Sequence, residues 1–129
     1  MGYTRYWNRT EEPISIDFLA DVNRIIKDSA RYGIAIRGAD GTGKPELELE
    51  IVAFNGNANA EKDLSHESFV LGNEVGFNFC KTARKPYDYV VRTVLRLAED
   101  YGIVTDVRDD GCNEQIYSDE MYLQDMVKW

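Results

Sequence analysis

One short stretch, residues 79–88, decides how this chain is expected to fold, because a predicted strand runs directly into a predicted helix there: Phe-Cys-Lys-Thr-Ala-Arg-Lys-Pro-Tyr-Asp. Before it, Val75, Phe77 and Phe79 recur at every second position, which is typical of a strand with one apolar face. Pro86 suits the first turn of a helix, where its missing amide hydrogen needs no partner. We therefore predict a strand through residue 79, a helix after Pro86, and Phe77 and Phe79 in the core.

Two segments have the period of amphipathic helices. The first carries an apolar residue every three or four positions between Ile14 and Ala30, with Ser15 or Asp17 able to cap its start and Gly33 able to end it. The second begins at Tyr87 and stops at Gly102. Helical spacing predicts that both apolar stripes pack together against a sheet, with six central members: Phe18, Val22, Ile25, Val90, Val91 and Val94. A short C-terminal helix could occupy residues 118–129.

Further strands are predicted where apolar and polar residues alternate, at residues 46–54 and in four shorter segments: 3–7, 34–37, 68–71 and 103–107. Gly72-Asn73 predicts a tight hairpin between two of the strands, and residues 55–63 are small and polar, as in a mobile loop. The order of elements predicts an α+β fold, mainly an antiparallel sheet with the two principal helices on one face. With 129 residues, of which 43% are apolar, we expect one domain over residues 1–129.

The charge of the chain limits its partners. Its formal net charge is -8, which argues against duplex nucleic acid, because duplex binding draws on broad neutralisation of phosphates. No apolar run is long enough for a membrane helix, so we expect no membrane association. The start of the chain lacks the apolar run of a signal peptide, and Cys80 and Cys112 lie far apart in sequence. We expect reduced thiols and a cytoplasmic location.

Against this acidic background, residues 81–96 hold five basic side chains and one acidic one, a local charge of +4. Basic and hydroxyl groups at the start of a helix favour an anion, because the first-turn amides add to their attraction. The candidate ligand-binding residues are Lys81, Thr82, Arg84, Lys85 and Tyr87. The alternative is that these charges only balance the acids of the protein.

Other motifs indicate neither a metal centre nor a cofactor. Residues 38–44 have P-loop spacing, but Pro45 stands where a hydroxyl residue is needed and strand-like alternation follows, so we predict a glycine-rich hairpin loop. His66 is the only histidine, and we expect it on a surface loop. Cys80 follows an apolar run, which favours packing over reactivity. An enzyme is disfavoured, because no base, nucleophile and metal set can be assigned.

The opening residues 2–7, Gly-Tyr-Thr-Arg-Tyr-Trp, and the stretch 79–88 resemble a family of small, uncharacterised proteins of bacteriophages and prophages. The resemblance implies an accessory role in the cytoplasm of a bacterial host, including the countering of host defence. The leading hypothesis is non-enzymatic binding of a phosphate-bearing small ligand, such as a nucleotide immune signal that the phage would sequester. The alternative is an acidic protein-binding inhibitor of a host defence or nucleic-acid-binding protein, with the basic residues as scaffold.

Overall fold

Two helices and two three-stranded antiparallel sheets make up the fold in the computed structural model, which describes residues 2–111. The predicted α+β class is confirmed. The elements are β1 (Thr4–Arg9), α1 (Ile16–Ala30), β2 (Glu46–Glu48), β3 (Ile51–Phe54), β4 (Phe69–Leu71), β5 (Gly76–Lys81), α2 (Tyr87–Asp100) and β6 (Val104–Asp109). The predicted helix at 118–129 lies outside the described residues.

The first sheet, here called the β1 sheet, has the order β5-β1-β6. Its central strand is the N-terminal one, which pairs antiparallel with both neighbours. A register shift between Tyr6 and Asn8 interrupts the pairing with β6. Asp106, on the strand opposite, has a φ of 59°, a left-handed conformation of the kind that accompanies bulges. Because β1 pairs with β5, the N-terminal motif and the stretch 79–88 are adjacent in space.

The second sheet, the β3 sheet, has the order β2-β3-β4 and corrects two sequence predictions. Residues 46–54 are a hairpin, because Glu48 pairs with Ile51 and the two residues between them form the turn. Gly72-Asn73 does not join a hairpin, since the strand before it pairs with β3 and the strand after it pairs with β1. Residues 34–37 contribute only a single bridge, between Arg37 and Asn55.

Both predicted helices are present with their expected ends. The Ser15 hydroxyl accepts a hydrogen bond from the Phe18 amide and so caps α1. Gly33, with a φ of 82°, terminates that helix, and Gly102, with a φ of 77°, terminates α2. Glycine fits both positions because other residues rarely adopt a left-handed conformation. Local sequence signals therefore fix both helices.

The core lies between the helices and the two sheets. Five of the six residues predicted to pack together are fully buried, and Ile25 is partly buried against the same cluster. Trp7, Phe54 and Phe69 belong to the same cluster, and the Phe69 ring lies 5.3 Å from that of Trp7 and 4.9 Å from that of Phe54, between centroids. The loop after β3 is also anchored, because Asn55 is buried and its amide donates to the carbonyls of Ala39 and His66.

The prediction that Phe77 and Phe79 belong to the core is wrong. Their side chains are 57% and 44% exposed, whereas Cys80, between Phe79 and Lys81, is fully buried. Pairing with β1 places Cys80 opposite Arg5 and Phe79 opposite Tyr6, and successive residues of a strand point to opposite faces. The aromatic side chains of β5 therefore lie on the solvent side of the β1 sheet.

Candidate functional site

The turn between β5 and α2 has an unusual backbone. Ala83 and Arg84 both have a φ of 55°, although neither is glycine. Left-handed conformations cost other residues roughly 1–2 kcal/mol each, so they persist only where surrounding contacts hold them. Here the amides of Thr82 and Ala83 both donate to the Tyr3 carbonyl, at 2.9 and 3.2 Å. The N-terminal motif therefore fixes the shape of the basic turn.

A buried ion pair lies beneath this turn. The Asp88 carboxylate accepts two hydrogen bonds from the Arg5 guanidinium, both at 2.9 Å, and one from the Thr82 hydroxyl at 2.6 Å. The side chains of Asp88 and Arg5 are 0% and 4% exposed, and Arg5 also contacts Asp109 at 2.9 Å. Burial alone would lower the pKa of Arg5, but the hydrogen bond and charge of Asp88 raise it overall. This pair locks the start of α2 to β1.

Three of the five predicted ligand residues bond to the protein itself. The Thr82 hydroxyl donates to Asp88, and the Tyr87 hydroxyl donates to the Glu67 carbonyl at 2.6 Å. The Lys85 ammonium donates to the carbonyls of Asp63 and Ser65, at 3.0 and 2.7 Å. These contacts hold the turn, the helix and the loop before β4 together.

The other two predicted residues, Lys81 and Arg84, lie on different sides of the turn. Arg84 is half-buried, with its guanidinium carbon 4.8 Å from the centroid of the Tyr3 ring. Lys81 is exposed at the end of β5, with its ammonium 5.9 Å from the centroid of the Phe79 ring. The structure therefore brings all five residues to one turn but presents their polar groups in several directions. Ligand binding by them stays a prediction.

The solvent side of the β1 sheet forms a second feature that the sequence did not indicate. We call it the aromatic face and define it by Tyr6, Phe77, Phe79, Lys81 and Arg108. The Tyr6 and Phe77 rings stack at 6.1 Å, and the Phe77 and Phe79 rings lie 6.2 Å apart. Arg108 lies over the rings of Tyr6 and Phe77, at 5.6 and 5.9 Å. A row of three rings with a cation at each end therefore crosses three strands.

Acidic groups border the aromatic face at β6. Asp106 accepts a hydrogen bond from Arg108 at 3.1 Å and one from the Asn8 amide at 3.2 Å. The Tyr6 hydroxyl donates to Asp110 at 2.7 Å, and this bond raises the pKa of Tyr6. At the β5 end of the face, the Glu67 carboxylate accepts a hydrogen bond from the backbone amide of Lys81 at 2.8 Å. The basic turn also lies at this end, where Lys81, Arg84 and Lys85 outnumber that acid, so positive potential is greater on the Lys81 side.

The remaining sequence candidates are a buried thiol, an exposed histidine and a glycine-rich loop. Burial raises the pKa of the Cys80 thiol, which therefore stays protonated near neutral pH and acts as a packing group. His66 is exposed on a loop, as predicted. The glycine-rich residues 38–44 lead into β2 and not into a helix, which confirms that they are not a P-loop. Within residues 2–111, no three His, Cys, Asp or Glu side chains are grouped to hold a metal ion.

No protein-family model, curated protein or solved structure matches this chain. Neither of the helices that the structure describes is long and apolar enough to cross a bilayer.

Proposed function

We propose that this protein is a phage-type accessory protein that binds a phosphate-bearing small ligand in the cytoplasm of a bacterial host. A nucleotide immune signal, sequestered by binding, is the ligand class that this role favours. The observation that carries the proposal is the basic turn, where Ala83 and Arg84 are both held in a left-handed conformation. Strained backbone that is fixed by its surroundings is enriched at ligand-binding sites.

The buried contacts under the turn support this proposal by making the turn rigid. Thr82 and Tyr87 bond inward and hold the backbone in place, with Lys81 exposed and Arg84 half-buried at the turn. Lys85 would contribute positive potential from its position against the loop carbonyls. A preorganised site loses less entropy on binding than a flexible one does. A rigid turn with two cationic side chains suits phosphate oxygens, which accept charge-assisted hydrogen bonds.

Thermal unfolding with a panel of nucleotides, cyclic dinucleotides and inorganic triphosphate tests the proposal, since a ligand of the folded state raises the melting temperature. In the double variant Lys81→Ala with Arg84→Ala, the affinity for the stabilising ligand should fall about tenfold or more, as expected for loss of a charge-assisted contact. The matched control removes two exposed charges elsewhere, Lys27→Ala and Lys44→Ala. If both variants bind the stabilising ligand as well as the wild type does, the basic turn is not the site.

A second candidate function is supported by the exposed acids of the β2–β3 hairpin. Glu46, Glu48 and Glu50 are all exposed. An acidic protein-binding inhibitor would use such a surface to cover a basic site on a host defence or nucleic-acid-binding protein. Affinity capture from a host lysate should then recover a partner whose binding is lost when all three residues are changed to lysine. If the wild type and the triple lysine variant recover the partner equally well, this surface is not the binding site.

A further inference from the structure

The β1 sheet has an inverted distribution of side chains. Its inner side contains two arginines, Arg5 and Arg9, which are 3% and 4% exposed. Its solvent side contains the phenylalanines of β5. Burying a charged group is costly unless it is paired, and leaving a large aromatic group in water forgoes the gain from burial. Pairing with Asp88 offsets the burial of Arg5, and backbone carbonyls accept from Arg9, so the cost that remains is that of the exposed rings. This indicates that the rings have a use outside the folding core.

The exposed apolar side chains are contiguous. Phe77 and Phe79 occupy alternate positions of β5, are 57% and 44% exposed, and have ring centroids 6.2 Å apart. Tyr6 extends the surface onto the central strand through its stacked contact with Phe77. Single exposed apolar residues are common on proteins, but a contiguous patch marks a surface that contacts another molecule.

The cations on this face restrict what that molecule can be. Lys81 lies over one end of the row of rings, and Arg108 lies over the other. A wholly apolar partner surface would remove the Lys81 ammonium, and the exposed pair of Arg108 with Asp106, from water without adding a counter-charge, which is unfavourable. A ligand with flat aromatic groups and negative charges would satisfy both kinds of group at once. Nucleobases joined to phosphates have this chemistry.

The spacing of the rings suits separated bases. Centroids 6.1 and 6.2 Å apart exceed the rise of about 3.4 Å between stacked bases in a DNA strand. Bases that leave their own stack can therefore lie on neighbouring side chains. Sheet surfaces with exposed aromatic residues bind single-stranded nucleic acid in this way, and duplexes do not offer free base faces. Asp106 and Asp110 would repel phosphates on one side of the face, whereas the cations of the basic turn outnumber Glu67 on the other, so the backbone of the ligand belongs on the Lys81 side.

We propose that the aromatic face binds the unpaired bases of a nucleotide ligand, with Phe77 and Phe79 as stacking residues and Lys81 as a phosphate contact. This deepens the proposed function, on which it rests, because Lys81 belongs both to this face and to the basic turn. The ligand class becomes a short single strand or a compound of two or more linked nucleotides.

Fluorescence anisotropy with fluorescein-labelled hexathymidylate tests the inference on the full chain. Changing both phenylalanines to leucine keeps apolar bulk and removes the rings. Stacking on aromatic side chains contributes about 1–3 kcal/mol per base, so affinity should fall roughly 5- to 150-fold for each ring that is lost. Changing both to tryptophan should retain binding, because tryptophan also offers a stacking surface. Tyr32→Leu, at an aromatic residue that is 53% exposed after α1, is the matched control.

Unlabelled hexathymidylate should compete with the probe, and a duplex of the same length should not. The inference is overturned if the wild type does not bind hexathymidylate, or if the leucine variant binds it equally well. It is also overturned if gel filtration shows a dimer that the leucine substitutions dissociate, because a second copy then covers the face. Inorganic triphosphate separates this inference from the proposed function: stabilisation by triphosphate, with no binding of the oligonucleotide, leaves the basic turn as an anion site and removes the base contacts.

Discussion

The ion pair between Arg5 and Asp88 gives the sharpest test of how this fold is held together. Asp88→Asn keeps the size of the side chain and removes its charge. The Asp88 carboxylate accepts three hydrogen bonds and is fully buried, so the variant leaves the Arg5 guanidinium inside the protein without its main counter-charge. Arg5 would retain the ion pair with Asp109, whose side chain is 24% exposed, and the contact of its guanidinium with the Tyr3 ring at 5.2 Å.

Breaking a buried ion pair by changing one partner costs about 3–5 kcal/mol. The remaining contact with Asp109 places the expected loss of unfolding free energy near the lower bound, at about 3 kcal/mol. This is a large part of the roughly 5–15 kcal/mol that stabilises an ordinary domain. With a urea m-value of about 1.5 kcal/mol per M, the midpoint of unfolding should fall by about 2 M.

Urea unfolding followed by circular dichroism at 222 nm measures this change. Asp28→Asn is the control, because it removes the same group from an exposed pair with Arg31 and should change stability little. The double variant Arg5→Met with Asp88→Leu removes both charges of the pair. It should be less destabilised than Arg5→Met alone or Asp88→Leu alone. A loss below about 1 kcal/mol for Asp88→Asn, or a double variant whose loss equals the sum of the single losses, would refute the reasoning.

Two further predictions concern the basic turn and the buried acidic protons. Ala83→Gly should raise the unfolding free energy by about 0.5–1 kcal/mol, because the left-handed strain that glycine removes exceeds the chain entropy that glycine loses on folding. Ala20→Gly in α1 is the control and should lower the unfolding free energy by about 1 kcal/mol. Urea midpoints that fall in both variants would contradict this. Burial raises the pKa values of Cys80 and Tyr87 above their unfolded values, so the unfolded chain releases these protons first as pH rises. The stabilisation that these two protonated groups contribute is therefore complete below about pH 8, and the unfolding free energy should fall as the pH rises above that value. A urea midpoint that stays constant from about pH 8 to 10.5 would show that Cys80 and Tyr87 titrate alike in the folded and unfolded states.

The helices were predictable from the sequence because their signals are local. The apolar stripes of α1 and α2 repeat over three or four residues, and Ser15, Gly33 and Gly102 act within one turn of a helix end. The α+β class followed from the order of the elements. The basic turn was also visible as a run of charge next to Pro86.

The structure decided what those charges contact. Arg5 meets Asp88 across 83 positions of the chain, and no local pattern marks such a pair. The Tyr87 hydroxyl reaches the Glu67 carbonyl, and the bond from Thr82 to Asp88 forms in a turn whose backbone is held by the distant Tyr3 carbonyl. The sequence therefore located the candidate turn but could not separate the residues that support it from those that face solvent.

Which face of β5 is buried could not be predicted from the sequence. Alternation established that Phe77 and Phe79 share one side of a strand, but a period of two does not say which side is buried. The choice came from pairing with β1, where the register places Cys80 and Arg5 on the inner side and Phe79 with Tyr6 on the outer side. The sequence by itself determined the helices, the class and the position of the basic turn. Tertiary pairing alone decided that the aromatic face meets solvent, because the register of a sheet is set by contacts between strands and not within one.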